Sequence, residues 1–179
     1  MNYQIVLDFW FKDISPQQWW AKDENLDQFI KERFSAIYFN ATRGELFTWR
    51  ICPEGRLAEI IVLDQFSRNM FRDLPESFAQ DSLALVLAQE AVLNGADKAL
   101  PVEWRSFMYL PYMHSESLII HDQAITLFGQ KGLEFNLDFE HKHRVIIEKF
   151  GRYPHRNHIL KRESTPAELE FIKQPGSSF

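Results

Sequence analysis

Three stretches of this chain carry ionisable side chains at positions where helical spacing calls for apolar ones. The first is a helix predicted from about Glu54 to Asn69. On a wheel of ~100° per residue, Leu57, Ile60, Ile61 and Phe71 cluster on one face, and Asp64 and Arg68 fall in the middle of it. Val62, Leu63, Phe66 and Met70 occupy the other side, so the helix is apolar nearly all round and is expected to be central. An aspartate and an arginine four residues apart on a buried face must pair, because an isolated buried charge costs several kcal/mol. Two readings follow: an ion pair that fixes helix packing, or a cleft in which Arg68 is joined by Gln65, Asn69 and Arg72.

The second stretch runs from Tyr112 to Phe128. His114, Leu118, His121, Ile125 and Phe128 share one helical stripe; Tyr112, Glu116, Ile120, Gln123 and Leu127 share another. His114 and Glu116 are the candidate acid and base. The alternative is that the histidines are core residues with satisfied hydrogen bonds. The third stretch is Phe139 to Asn157. Its apolar stripe of Phe139, Ile146 and Phe150 includes His143, Lys142 and Lys149 point to water, and Glu140 with Arg144 form an i, i+4 pair at the edge. Arg152, His155 and Arg156 then flank Pro154, at the expected start of a short helix. Two arginines beside a helix N-terminus would suit a carboxylate or phosphate. They would equally serve to satisfy helix carbonyls or acidic neighbours.

Other chemistries lack their spacing. His141 and His143, like His114 and Glu116, are ~160° apart on a helix, and His114 lies two turns from His121, so no one helix offers a metal shell. No HExxH or CxxC pattern, nucleophile elbow, glycine-rich dinucleotide loop or P-loop is present. No metal and no cofactor is expected.

Composition narrows the class. The 179 residues include 16 phenylalanines, 5 tryptophans and a single cysteine, which fits one well-packed domain without disulfides. Cys52, before Pro53, reads as a small, partly buried side chain rather than a reactive thiol. The start lacks a basic region before its short apolar run, and no stretch reaches the ~18–20 apolar residues of a membrane span, so a cytoplasmic location with no membrane contact is expected. The net charge of −5 disfavours nucleic acid. From His141 to Glu163, however, seven basic residues face only Glu148 and Glu163, and four of the six histidines lie there. Tyr153 is the aromatic residue placed to stack in that patch.

The elements that must position these groups are helical. Helices are predicted from about Asp23 to Gly44, from Glu54 to Asn69, from Leu74–Pro75 to Asn94, and from Pro101 to Leu110, where Pro111 kinks or breaks the chain. Further helices are predicted from Tyr112 to about Gln130 and from Asp138 to Phe150, with Gly95 and Gly151 as left-handed caps. A last helix starts at Thr165 as N-cap, with Pro166 and a capping-box Glu168, and is expected to dock through Leu169 and Ile172. The weak strand candidate Leu46–Trp49 has no partner. The expectation is an all-α fold of antiparallel helix pairs in one compact domain over residues 1–174, with an extended tail over 175–179.

The segments LDQFSRNMFR (63–72), YLPYMHSE (109–116) and FGRYPHRN (150–157), with ESTP (163–166) and the ending QPGSSF (174–179), resemble the bacterial domain-of-unknown-function family 924. The resemblance covers nearly the whole chain. It implies a tetratricopeptide-like helical superhelix and implies no reaction. One departure is Lys161, which follows Leu160 where a small residue such as glycine is expected.

Two functions are compatible with these residues. One is an interhelical cleft for a small carboxylate or phosphate, with His114 and Glu116 as acid and base and an enzymatic role open. In it Asp64, Gln65, Arg68, Asn69, Arg72, Arg144, Arg152, His155 and Arg156 line the ligand. The other is a tetratricopeptide-like module that binds an acidic peptide in a basic groove. The sequence leaves oligomeric state open.

Overall fold

A computed structural model describes residues 2–177. Helix α1 (Gln4–Asp8) runs into a π turn, Phe9–Asp13. Then follow α2 (Glu24–Thr42), α3 (Pro53–Ile61), α4 (Ser67–Met70), α5 (Asp81–Leu93), α6 (Val102–Met113), α7 (Leu118–Phe128), α8 (Glu134–Phe150) and α9 (Pro166–Phe171). Among the described residues there is no strand, and the Leu46–Trp49 candidate lies in a 3-10 turn, Phe47–Ile51. The fold is all-α.

The chain's punctuation is local. Asp23 accepts hydrogen bonds from the N–H groups of Asn25 and Leu26 and so opens α2. Pro53 supplies the first residue of α3, where its missing N–H costs nothing. The capping box of Thr165 and Glu168 opens α9 as its sequence predicts. Gly151 closes α8 in a left-handed conformation, φ 68°. Lys161 does the same work without being glycine. Its φ is 55°, its N–H reaches the His158 carbonyl, and the Arg162 N–H reaches the Asn157 carbonyl at 2.8 Å. This is a paired terminus in which glycine is the usual left-handed residue, which explains why a small residue is expected there.

Helices α3 and α4 are joined without interruption by a π segment, Val62–Phe66, and every residue from Leu57 to Ser67 is buried. Helices α1, α2, α5 and α6 pack around this rod, confirming its central place. Interlocking rings seal it: Phe34 meets Phe66 at 4.7 Å between centroids, and Trp10 meets Phe66 and Phe107 at 5.7 Å each. Helix α7 bridges α6 and α8.

Several boundaries depart from the pattern reading. The helix expected from Leu74 begins as a 3-10 turn, Pro75–Ser77, and α5 starts only at Asp81. Helix α8 begins four residues early, at Glu134, whose carboxylate accepts the Gly132 N–H at 3.0 Å. Pro111 does not end α6, which runs through it to Met113. The break comes at His114–Ser117, where Ser117 is extended and its N–H goes to the Ser115 hydroxyl. The docking of α9 also differs: Leu169 and Ile172 are exposed, whereas the Phe171 ring packs tilted against Phe150, 5.0 Å between centroids. Ser177 is buried and its hydroxyl donates to the Ile172 carbonyl; Ser178 and Phe179 of the expected tail lie outside the described residues.

Candidate functional site

The break after α6 decides where His114 goes. It is the C-cap of α6 rather than a member of the α7 stripe. Its Nδ1 lies 2.7 Å from Asp64 Oδ1, on the buried central rod. Asp64 is fully buried and also receives Arg68 Nη1 at 3.2 Å and the Gln65 amide at 2.5 Å. Burial alone would raise the Asp64 carboxyl. Arg68, His114 and Gln65 overcome it and hold the group far below the usual carboxylate range. Burial, and then Arg68, lowers His114 below the ordinary histidine value, with Asp64 opposing. Near pH 7 the pair is therefore a carboxylate beside a neutral imidazole. A carboxylate only accepts, so Nδ1 carries the proton and Nε2 keeps a lone pair.

His114 lines a cavity of about 280 Å³ together with Phe78, Asp81, Ser82, Ser115, Glu116 and Arg156. Arg156 lies between two rings, 4.6 Å from the centroids of both Phe78 and Tyr153. Its Nη2 donates to the His114 carbonyl at 3.1 Å and its Nη1 to Asp81 at 3.2 Å. Arg68 holds Asp81 through two bonds of 2.9 Å. Burial and Arg68 lower the Arg156 guanidinium from its usual value, while Asp64 and Asp81 raise Arg68 despite its burial.

All three predicted stretches thus contribute to one place: Asp64, Gln65 and Arg68 from the first, His114 and Glu116 from the second, Arg156 from the third. Their settings differ. Gln65 stands behind the site, its amide spent on Asp64. Glu116 reaches the cavity as a carboxylate held by Arg162 at 2.6 and 2.9 Å and by the Tyr153 N–H at 2.7 Å. Burial raises its carboxyl, but these donors prevail and lower it, so Glu116 stands as an ion-paired carboxylate that braces Arg162 and the Tyr153 backbone.

Other predicted residues go elsewhere. Asn69 on α4 and Arg72 in the turn after it both reach Asp27 on α2, the helix that packs against α4. Arg144 does not pair with Glu140; it reaches Asp122 and Glu148 at the surface. Arg152 clamps Glu168 and the Glu163 carbonyl beneath α9. The short helix at Pro154 is a three-residue 3-10 turn, Pro154–Arg156, too short to offer an anion the charge of a helix end. His155 is partly buried beside Tyr153, with ring centroids 5.6 Å apart, and its Nδ1 is buried without a partner.

Asp81, Phe78 and Tyr153 are members of the site that the sequence did not assign to it. Asp81 reads as an ordinary first-turn acid, with nothing in its spacing to tie it to Arg68. The remaining buried histidines are core residues. His121 contacts Glu140 at 2.6 Å and the Ser115 carbonyl at 2.8 Å, and His143 bonds the Phe139 carbonyl at 2.8 Å. Among the described residues no three His, Cys, Asp or Glu side chains stand close enough to share a metal ion, and no helix is long and apolar enough to cross a membrane.

The fold and this site define an all-α protein with a buried aspartate–histidine pair at the edge of a cleft. The family described as "Bacterial protein of unknown function (DUF924)" matches residues 6–176, and the chain belongs to it. It is also similar to a solved structure of a protein of unknown function from Agrobacterium tumefaciens, at 39% identity and a TM-score of 0.91, with 96% of each chain covered. No curated protein matches the chain.

Proposed function

We propose that the cleft binds a small molecule bearing a carboxylate or phosphate and that His114 moves protons to and from it as a general acid–base. The observation that carries this reading is the 2.7 Å bond from His114 Nδ1 to a fully buried Asp64. That bond fixes the tautomer and orientation of a ring whose Nε2 takes no partner among the described residues. An arrangement of this kind serves proton transfer in many enzymes. Arg156, with Arg68 behind Asp81, supplies the charge that would hold an anionic group. A cavity of about 280 Å³ falls just below the ~300–1,000 Å³ typical of ligand sites, which favours a small metabolite over an acidic peptide.

The test is a thermal-shift panel of phosphorylated metabolites, simple carboxylates and acidic peptides, run on the parent chain, His114→Ala and Arg156→Ala. A ligand at a hundred times its Kd should stabilise the parent by about 2.7 kcal/mol, and Arg156→Ala should lose that shift. His114→Ala should retain most of the binding and lose any turnover. If no anion moves the parent's midpoint, the reading fails; if only acidic peptides do, the site is a protein-interaction groove.

A further inference from the structure

Asp81 opens α5 and stands between Arg156, which lines the cleft, and Arg68, which lies behind it. Arg68 grips both of its oxygens, Nη1 to Oδ1 and Nη2 to Oδ2, each at 2.9 Å, and Arg156 adds a bond to Oδ2 at 3.2 Å. This two-point planar grip is the geometry an arginine offers to any free carboxylate or phosphate. Asp64 and Asp81 balance Arg68 and Arg156 charge for charge, so an arriving anion meets arginines that are already neutralised.

The two carboxylates are not equally fixed. Asp64 is fully buried and held by His114, Gln65 and Arg68. Asp81 lines the cavity, its side chain is 17% exposed, and among the described residues its carboxylate is bonded to the two arginines alone. Arg156, in contrast, is 8% exposed, and its Nε–H is buried with no acceptor. Buried donors are nearly always satisfied, so the cluster holds one more donor than Asp81 satisfies.

We infer that Asp81 is a built-in counter-carboxylate, which a ligand's own carboxylate or phosphate displaces from Arg68 and Arg156, and that it thereby sets the cleft's selectivity for small oxyanions. The inference rests on the anion-holding part of the proposed function. Exchange keeps each arginine paired with an oxyanion, whereas an anion added beside an unmoved Asp81 would meet a like charge. Once released, Asp81 remains in the first turn of α5, where the helix end favours a negative side chain.

The test titrates inorganic phosphate and acetate into the full chain, Asp81→Asn and Asp81→Glu by calorimetry, with circular dichroism confirming the fold of each. Asp81→Asn should bind at least about tenfold more tightly than the parent, because a competitor and a like charge are both gone. Asp81→Glu should stay as weak as the parent, and adding Arg156→Ala to Asp81→Asn should erase the gain. If the parent binds and a folded Asp81→Asn binds no better, displacement is overturned and the cleft reading stands. If neither binds, both fall. A measurement on the unaltered chain guards against an unfolded variant. Carbon-detected NMR should show the Asp81 carboxyl signal moving as phosphate saturates the site; an unmoved Asp81 signal beside a shifted Arg156 Nε signal would overturn the inference.

Discussion

The phenolic hydroxyl of Tyr153 donates to the carbonyl of Met113, 2.5 Å away and 40 residues back in the chain. The next two carbonyls are taken in the same way, His114 by Arg156 at 3.1 Å and Ser115 by His121 at 2.8 Å. Three successive acceptors at the end of α6 are therefore satisfied by side chains from α7 and from the segment after α8. The turn that carries His114 is set by residues outside it. Removing the hydroxyl with Tyr153→Phe should leave a buried acceptor unpaired and cost about 1–3 kcal/mol, read from urea unfolding. The His114 ring resonances should also broaden; a variant as stable as the parent would show that the bond contributes nothing.

Acid should destabilise the protein from the histidine range downward. Burial lowers His143 to about 3 and His155 to about 4, against an unfolded value of about 6.5. Between these limits the unfolded chain binds the protons and the folded chain does not, so stability is full above about pH 6.5 and falls as pH drops. The slope should approach at most about 1.4 kcal/mol per pH unit for each histidine. Glu140 acts in the opposite sense: burial raises its carboxyl, so its contribution is present at low pH and lost as pH rises through its folded value. Urea midpoints from pH 7.5 to 5 check this, and His143→Gln should flatten the curve; an unchanged slope would remove His143 from the account.

Gly55 lies against the 3-10 turn at Phe47–Ile51. A Cβ there would sit 2.1 Å from the Trp49 carbonyl oxygen, a backbone atom that cannot step aside alone. Gly55→Ala should therefore lower stability by the upper part of about 1–3 kcal/mol, measured as a fall in Tm, although alanine is the better helix former.

Lys161 should respond in reverse. Its φ of 55° costs a residue with a side chain about 1–2 kcal/mol that glycine avoids. Lys161→Gly should be more stable by up to about 1 kcal/mol, after the extra chain entropy of glycine is subtracted. A loss of stability on denaturant unfolding would mean that the lysine side chain stabilises the turn more than its backbone strain costs.

Helical periodicity made the all-α class legible, along with the central place of the rod through Asp64, because both follow from apolar spacing in one segment. The capping box at Thr165 was also local, whereas the unusual position of Lys161 showed only as a departure from the pattern the chain resembles. The connection of His114 to Asp64 was not. Both residues stood out as polar groups on apolar faces, but the turn after Met113 is created by acceptors bonded to Tyr153, Arg156 and His121, and a wheel drawn through Tyr112–Phe128 assumes that turn away. Arg72 and Arg152 carried the same local signal as Arg68 and Arg156; only the tertiary positions of Asp27 and Glu168 divert them. Asp81 carried no signal, since a first-turn aspartate is common and its arginine partners are 13 and 75 residues distant.

The π segment at Val62–Phe66 holds one residue more than an α-helix would over the same rise. Asp64 lies within that insertion and Arg68 lies beyond it, so the angle between the side chain that steadies His114 and the side chain that grips Asp81 depends on a single amino acid of length. Deleting one residue there would wind the rod back to a regular helix and turn everything after it by ~100°. Arg68 would then face away from Asp81 with every residue type in the cleft unchanged. In this protein the count of residues along a helix is as much a part of the site's chemistry as their identities.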